Sequence, residues 1–240
     1  SRCRFCCKPM ITYAEALRRL MEKAVPVEGM ETVPLLYSTH RVLAEGIVSP
    51  IAVPGWDNSQ MDGYAVRAAE LAEASEDHPV VLPVSDRIPA GQVGSRLAQG
   101  SVARIFTGAP MPEGADTVVP QENVEVTPEG VCFKSPVREG AWVRRRGSDV
   151  PQGGVVLKKG ARLTPAAIGM VASIGRAYVK VYRRLRVGIF FSGDELVQPG
   201  EPLPPGGIYN SNRFMIRSLL QELGCEALDL GSVPDTHEAT

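Results

Sequence analysis

Residues 54–66, Pro-Gly-Trp-Asp-Asn-Ser-Gln-Met-Asp-Gly-Tyr-Ala-Val, combine polar side chains that bind ligands with turn formers at both ends. Pro54-Gly55 and Asp62-Gly63 are turn dipeptides, so the groups between them are expected on a constrained surface loop. Such loops often carry binding or catalytic groups. The same residues also suit a solvated loop whose Asp and Asn only cap turns, and residue types alone leave both interpretations open.

A second set of polar side chains follows two predicted strands near the end of the chain. Residues 185–191 form an apolar run, broken by Arg186, that is typical of a buried parallel strand, and Asp194 and Glu195 follow it after Ser192-Gly193. A helix and a strand at 227–233 complete a βαβ unit, and Asp235 follows this second strand. A right-handed crossover places both strands in one parallel sheet.

Ligands of open α/β sheets bind beyond the carboxyl ends of the strands, where these acids are expected. Carboxylates there suit Mg²⁺, which takes one or two of them together with phosphate oxygens. Residues 210–212 (Asn-Ser-Asn) open the helix at 213–223, with Ser211 and Asn212 as candidate N-caps, and a helix N-terminus binds anions. The inward face of this helix is expected to consist of Phe214, Leu219, Leu220 and Leu223. The pattern predicts a phosphate-bearing ligand. The alternative, that Asp194 and Ser211 only cap turns, is less favoured because acids follow both strands.

The elements before this unit are shorter and more mixed. Residues 11–24 predict an amphipathic helix with a capping box at Thr12 and Glu15, and its apolar face is formed by Leu17, Leu20, Met21 and Ala24. Residues 31–48 suit extended segments joined by a short helix at 41–44. This segment has little to bury against itself, so we expect it to pack on a partner chain or on a later segment.

Residues 53–149 predict a β-rich module, a small barrel or sandwich, because short β runs alternate with Gly and Pro turns. The runs are 63–66, 80–84, 102–106, 117–119, 131–133 and 142–144. The basic run at 144–146 suits a solvated hairpin edge better than a phosphate site. Thr164 and Pro165 open a predicted helix that reaches Ser173 and is closed by Gly175.

Four segments, in this order, resemble the molybdopterin molybdenumtransferase family, to which MoeA and the E domain of gephyrin belong. They are Asp57-Asn-Ser-x-Met-Asp-Gly-Tyr-Ala-Val66, Phe106-Thr-Gly-Ala-x-Met-Pro-x-Gly-Ala-Asp116, Ser192-Gly-Asp-Glu-Leu196 and Ile208-Tyr-Asn-Ser-Asn212. The resemblance implies insertion of molybdate into adenylylated molybdopterin with Mg²⁺-dependent release of AMP. It also implies a homodimer whose active-site cleft lies between the β-rich domain of one subunit and the α/β domain of the other, with a MogA-like molybdopterin adenylyltransferase as upstream partner.

The resemblance also assigns roles to residues. The positions that match its catalytic acids and hydroxyl are Asp62, Thr107, Glu195 and Asp235. Those expected to bind the pterin substrate are Ser59, Gly108, Ser192, Gly193, Asn210, Ser211 and Asn212. Those expected to hold Mg²⁺ are Asp194, Glu195 and Asp235. P-loop, nucleophile-elbow and dinucleotide-binding signatures do not occur in the sequence.

The composition is that of an ordinary globular protein, with 44% hydrophobic and 22% charged residues. A net charge of −1 gives no footprint for nucleic acid or an anionic membrane. Without a membrane-spanning run or a secretory signal pattern, the expected location is the cytoplasm. Among the five cysteines, Cys3 and Cys6 have metal-ligand spacing, but no second pair accompanies them or Cys7, which disfavours a zinc site. Met10 resembles the family's start.

The expected fold is multi-domain α+β. Residues 10–52 and 150–180 form an elongated mixed α/β N-terminal element for dimerisation, residues 53–149 form the inserted barrel-like module, and residues 181–240 begin a parallel, MogA-like α/β domain. Ser192 stands where the family usually has Thr, and the family's later Gly-rich loop, lysines and C-terminal β-barrel do not follow. We therefore expect a fragment without full activity. The alternatives are a gephyrin-type interaction scaffold and a phosphate- or nucleotide-binding α/β module of another pathway.

Overall fold

The computed structural model describes residues 11–233. The expectations for Cys3, Cys6, Cys7, Met10 and Asp235 lie outside these residues. Contacts group the chain into two compact units. The β-rich unit comprises Glu45–Ala161 and Pro165–Ala177, and the mixed unit comprises the described residues of Ser1–Ala44, Arg162–Thr164 and Tyr178–Thr240. The three-part division expected from the sequence stays a prediction.

Short strands make up most of the regular structure, and within residues 11–233 none of the helices is long and apolar enough to cross a bilayer. The described α-helices are α1 (Tyr13–Lys23), α2 (Pro165–Ser173) and α3 (Ser211–Glu222), and 3₁₀ turns occur at Leu35–Tyr37, Ala68–Leu71 and Gln121–Asn123. The strands are β1 (Met30–Pro34), β2 (Ile47–Val48), β3 (Asn58–Ser59), β4 (Gly63–Val66), β5 (Val80–Leu82), β6 (Val84–Ile88), β7 (Val102–Ile105), β8 (Thr117–Pro120), β9 (Glu125–Thr127), β10 (Gly130–Phe133), β11 (Val143–Arg144), β12 (Val155–Leu157), β13 (Tyr178–Tyr182), β14 (Arg186–Ser192), β15 (Leu196–Val197), β16 (Ile208–Tyr209) and β17 (Glu226–Val233).

The β-rich unit is built around a four-stranded sheet in the order β6-β7-β4-β8, in which only β6 and β7 are parallel. A three-stranded sheet, β5-β10-β9, shares a core with it, because Tyr64 and Val102 of the first sheet pack with Leu82, Val131 and Phe133 of the second. Alternate residues of the four-stranded sheet enter a second buried cluster on its other face. All four residues of β4 are therefore buried.

The expected barrel-like closure of this module is wrong. A barrel requires its first and last strands to pair, whereas the four-stranded sheet ends at β6 and β8, and the other strands form separate sheets of two or three. The predicted strand at 80–84 is interrupted at Pro83, which cannot donate to a ladder and separates β5 from β6. The other predicted β runs coincide with strands to within one residue.

The mixed unit contains the predicted βαβ arrangement. β14 and β17 pair in parallel, with α3 between them in the chain. The helix ends with Leu223 as C-cap, and Gly224 follows at φ 79°, a left-handed conformation that favours glycine. In a separate antiparallel pair, β1 lies against β13 with Met30 opposite Tyr182. The βαβ prediction is confirmed, but the expected burial of its first strand is wrong, because Ile189 is the one buried residue of β14.

Two helical expectations need correction. Residues 41–44 are not helical: Val42 and Leu43 form β-bridges to Arg162 and Val181, because a fully buried Leu43 extends the β1–β13 layer. The predicted inward face of α3 is largely exposed, with Phe214, Leu219 and Leu223 each at least half accessible. The periodicity therefore predicts the helix α3 but not the burial of its apolar face.

Helix α1 forms where the sequence predicts it, but no residue of it is buried. The hydroxyl of Thr12 accepts a hydrogen bond from the N–H of Glu15 at 3.2 Å, which is one half of the predicted capping box. The Glu15 carboxylate instead accepts hydrogen bonds from Arg18 and Arg19. The expected packing of residues 31–48 on a later segment is confirmed, because β1 pairs with β13 and β2 pairs with β12.

Candidate functional site

Asp62 and Thr107 form the most specific contact between two of the signature segments. One carboxylate oxygen, Oδ1 of Asp62, accepts hydrogen bonds from the backbone N–H of Thr107 at 2.8 Å and from its hydroxyl at 2.9 Å. Asp62 lies between β3 and β4, and Thr107 follows β7, so adjacent strands of one sheet bring them together. The site therefore holds an oriented hydroxyl beside a carboxylate.

The same contact determines the ionisation of Asp62. The N–H and then the hydroxyl of Thr107 stabilise the charged carboxylate and, with a smaller contribution from the positive charge of Arg104, hold the pKa of Asp62 below its ordinary value. At neutral pH Asp62 is consequently an anion and a hydrogen-bond acceptor. It does not supply a proton there.

Backbone contacts join the two segments on either side of this pair. The N–H of Gly108 donates to the carbonyl of Ser59 at 2.8 Å, and the N–H of Ser59 donates to the carbonyl of Ala109 at 2.9 Å. Gly108 has φ 82°, so its backbone turns in a way that side chains with a Cβ rarely adopt. The Ser59 hydroxyl donates to the carbonyl of Met61 at 2.6 Å and so holds the loop's own turn.

An open cavity of about 300 Å³ lies over these segments. Its lining combines amide, hydroxyl and guanidinium groups and consists of Asn58, Ser59, Gln60, Thr107, Gly108 and Arg144. Arg144 reaches it because β11 pairs with β3, which places Arg144 opposite Asn58. Arg144 also forms an ion pair with Asp149. A surface of this kind suits an oxygen-rich anion.

Asp57 anchors the start of the same loop. Its carboxylate accepts a hydrogen bond from the N–H of Arg146 at 2.7 Å and from the guanidinium of Arg145 at 2.6 Å. Burial is the largest single effect on Asp57 and opposes its charge, but the Arg146 N–H and the Arg145 guanidinium together hold its pKa below the ordinary value. Asp57 therefore holds the basic run in place.

The other two signature segments meet in the mixed unit. β15 and β16 pair in parallel, and the N–H of Ile208 donates to the carbonyl of Glu195 at 2.8 Å. Gly193 has φ 151°, and a Cβ there would lie 2.8 Å from Oε2 of Glu195. The backbone conformation therefore favours glycine at this position.

Asn210, and not the predicted Ser211 or Asn212, caps helix α3. The side-chain oxygen of Asn210 accepts a hydrogen bond from the N–H of Arg213 at 3.2 Å, and Asn210 is only 2% exposed. The Nδ2 group of Asn210 is buried without a hydrogen-bond partner. Ser211 and Asn212 are exposed on the first turn, where helix N–H groups lack intrahelical acceptors.

The family model described as "MoeA N-terminal region (domain I and II)" matches residues 11–175. The chain belongs to the MoeA family.

Individual relatives agree with this assignment. A protein of Haemophilus influenzae named molybdopterin molybdenumtransferase is 42% identical over 228 residues, which are 94% of this chain and 55% of that protein. A Bacillus subtilis protein of the same name is 42% identical over 226 residues, 92% of this chain and 52% of that protein. The chain therefore spans about half the length of the curated relatives it matches.

The fold agrees as well. The crystal structure of a molybdopterin biosynthesis moeA protein from Pyrococcus horikoshii OT3 matches with a TM-score of 0.85 at 34% identity, covering 95% of this chain and 61% of that one. The mixed α/β architecture, in which strands predominate, is therefore that of a MoeA structure.

In this MoeA-family chain the predicted site residues form two groups. Asp62, Ser59, Thr107 and Gly108 come together in the β-rich unit. The second group lies in the mixed unit and consists of Ser192, Gly193, Asp194, Glu195, Asn210, Ser211 and Asn212. Asp235 lies outside the described residues. The role of each residue stays a prediction.

The Mg²⁺ that the MoeA resemblance implies can be tested against the donor set. Asp194 and Glu195 follow β14 at its carboxyl end, and Mg²⁺ typically uses one or two protein carboxylates with water and phosphate oxygens. Within residues 11–233 no three His, Cys, Asp or Glu side chains gather in one metal-binding group. The donors present fit an ion shared with a phosphate ligand.

Sequence reasoning missed several contributors to these sites. Arg144 was assigned to a solvated edge, although its pairing with Asn58 brings it to the cavity. Arg213 donates to Asp229 at 2.7 Å and to Gln198 at 2.8 Å, which links α3 to β17 and to the loop after β15. These contacts join residues far apart in the chain. Only the density of positive charge at 144–146 gave a signal in the sequence.

Proposed function

We propose that the protein acts in molybdenum cofactor biosynthesis as a molybdopterin molybdenumtransferase, inserting molybdate into adenylylated molybdopterin with release of AMP. The observation that carries this proposal is the joining of the family's first two signature segments through Asp62 and Thr107 beside a polar cavity. The names of the relatives support the substrate class.

The chain's own groups support particular roles. Thr107 holds its hydroxyl toward an ionised Asp62, which orients it at the cavity surface. Arg144 and the polar lining bind the anionic part of the substrate. In the mixed unit, the exposed N-terminal turn of α3 receives phosphate oxygens. Mg²⁺ would be held by Asp194 and Glu195 and would neutralise charge on the phosphates.

The binding test uses calorimetric titration of adenylylated molybdopterin into the chain, with and without Mg²⁺. We expect Mg²⁺-dependent binding that weakens about tenfold or more, about 1.4 kcal/mol, in Asp62→Asn and Glu195→Gln. The control is Asp77→Asn, which removes an exposed carboxylate of the β-rich unit. Equal affinities for all three variants would contradict the assigned sites, and a folded chain that binds no ligand would favour the scaffold function.

The proposed homodimer is supported by the apolar stripe of α1. Leu17, Leu20 and Met21 lie on one side of this helix and are 44%, 70% and 68% exposed. Light scattering should show a dimer that weakens in Leu20→Glu, whereas Lys23→Gln, with the same change in net charge, should retain it. A MogA-like adenylyltransferase as upstream partner and a cytoplasmic location complete the proposal, as the sequence resemblance suggests.

A further inference from the structure

We infer that Arg104 is a positioning residue of the Asp62–Thr107 pair, because its guanidinium holds both segments that carry the pair. The relevance of this inference to catalysis rests on the proposed function of that pair. Arg104 lies in β7, opposite Tyr64 of β4 and beside Arg87 of β6. It thus lies in the strand that leads to Thr107 and opposite the strand that follows Asp62.

Arg104 donates hydrogen bonds to Gly63, the residue after Asp62, and to Gln121, which contacts the Asp62 backbone. Its Nη1 donates to the carbonyl of Gly63, the next residue, at 2.8 Å. Its Nη2 donates to Oε1 of Gln121 at 2.5 Å, and the backbone N–H of Gln121 in turn donates to the carbonyl of Asp62 at 3.0 Å. A single planar side chain therefore supports the backbone of Gly63 directly and the carbonyl of Asp62 through Gln121.

The same guanidinium also contacts the segment that carries Thr107. Its carbon lies 4.6 Å from the ring centroid of Phe106, the residue before Thr107, and 5.3 Å from that of Tyr64. Cations over aromatic rings at these distances are attracted to the ring faces. Because the ring of Phe106 also lies beneath Arg87 at 4.7 Å, two cations hold it in place.

The hydrogen bonds of Arg104 and its positive charge both stabilise the ionised Asp62 and its contact with Thr107. The positive charge of Arg104 adds to the Thr107 donors that keep Asp62 ionised. Arginine suits the position because its planar fork hydrogen-bonds two acceptors while its face stacks on a ring, which lysine cannot reproduce. Loss of the side chain should therefore loosen the pair without emptying the core beneath it.

The test compares three variants in the whole chain: Arg104→Gln, Arg104→Lys and the matched control Arg87→Gln. Arg87 shares the Phe106 contact, but no hydrogen bond of its side chain to Gly63 or Gln121 is observed among the described residues. The readouts are the NMR titration of the Asp62 carboxyl and hydrogen exchange of the Thr107 amide. Both Trp residues, Trp56 and Trp142, lie in the β-rich unit, so their fluorescence during urea unfolding reports its integrity.

We expect Arg104→Gln to raise the pKa of Asp62 toward its ordinary value and to speed exchange of the Thr107 amide about 10–100-fold, the range expected for local opening after loss of hydrogen bonds from a charged group. Arg104→Lys should restore most of the Asp62 titration through its charge but leave the faster exchange. Arg87→Gln should change the pKa of Asp62 and the exchange rate of the Thr107 amide less than Arg104→Gln does. Where Arg104→Gln does not fold, the charge-retaining Arg104→Lys decides the outcome through amide exchange.

The inference is overturned when neither Arg104 variant changes Asp62 titration or Thr107 exchange, or when Arg87→Gln changes them as much. Titration of adenylylated molybdopterin into the same variants separates the two proposals. Absence of binding by the wild-type chain would count against the proposed function alone, because the NMR readouts need no ligand. Binding that weakens only in the Arg104 variants would support both.

Discussion

In the β-rich unit, residues 57–62 are joined to residues 106–111 by side-chain and backbone hydrogen bonds above a sheet that is buried on both faces. In the mixed unit, Glu195 and Asn210 lie just outside opposite ends of the two-residue parallel pairing of β15 with β16, next to apolar side chains that remain half exposed. The two groups of predicted site residues, one in each unit, therefore have different local support.

The difference has consequences for local stability. Regions with many buried apolar contacts open only with nearly global unfolding, whereas regions with few such contacts open at lower free energies. In the parallel β14–β17 pair of the mixed unit, Phe190 is 49% exposed and Leu230 is 65% exposed. We therefore expect the Asp62–Thr107 group of the β-rich unit to be more rigid than the group around Glu195 and Asn210 in the mixed unit.

The largest expected effect compares one phenylalanine from each unit. Phe133 is 2% exposed in the core shared by the two main sheets, so Phe133→Ala should lower the free energy of unfolding by about 3–5 kcal/mol. Phe190→Ala, at a half-exposed position of the mixed unit, should leave the same transition nearly unchanged. Trp fluorescence during urea unfolding measures both. A similar loss in the two variants would contradict the contrast between the units.

A second comparison tests the tight packing beneath Asp62. A Cβ added to Gly63 would lie 2.1 Å from the backbone carbonyl oxygen of Val119, so Gly63→Ala must shift β4 away from β8. We expect a loss of about 1–3 kcal/mol, the range for overpacked sites. Gly55→Ala, where nothing lies within 4 Å, is the control. The measurement is again urea unfolding, with exchange of the Thr107 amide showing whether the site moves.

Local patterns in the sequence predicted elements better than the contacts between them. The run at Gly63–Val66 is short, apolar and bounded by turn formers, so the strand β4 was predictable. The pairing of β1 with β13 was not, because its two strands are separated by more than half the chain. The same holds for the contact of Asp62 with Thr107, 45 residues away, which only the family resemblance placed in one site.

Helix ends show the same limit at a finer scale. Asn210, Ser211 and Asn212 are all acceptable N-cap residues, and the sequence pattern predicts a cap at Ser211 or Asn212. The structure selects Asn210, because the pairing of β16 with β15 ends at Tyr209 and turns the chain there. The exposure of Phe214 and Leu219 was likewise not predictable, since periodicity identifies an apolar face but not its partner.

The N-cap of α3 provides a test with a smaller expected effect in the mixed unit. Asn210→Ala removes the acceptor for the Arg213 N–H and should cost about 1 kcal/mol of local stability. Asn210→Ser keeps a cap acceptor and removes the unpartnered Nδ2 group, so it should be closer to the wild type. Hydrogen exchange of the α3 amides measures the effect. A more stable Asn210→Ala helix than Asn210→Ser helix would contradict the capping role.

The smallest expected effect distinguishes how the two units hold a carboxylate. The pKa of Asp62 is lowered first by the N–H and hydroxyl of Thr107, whereas that of Asp229 is lowered first by the guanidinium of Arg213. Both pKa values are lowered by folding, so each group adds stability above its unfolded-state pKa, and this is lost as the pH falls through the folded-state value. The relevant window lies at and below about pH 4.

Salt should separate the two carboxylates in this window, because it screens an ion pair more than hydrogen bonds from neutral donors. Raising the salt concentration from about 0.1 M to 1 M should shift the NMR titration of Asp229 toward its ordinary pKa and shift that of Asp62 less. Arg213→Gln should abolish most of the salt dependence at Asp229, and Thr107→Ala should raise the pKa of Asp62 at either salt concentration. Equal salt shifts at both carboxylates would mean that Arg104, and not Thr107, dominates the ionisation of Asp62, which would strengthen the electrostatic part of its positioning role at the expense of the hydrogen-bonded pair.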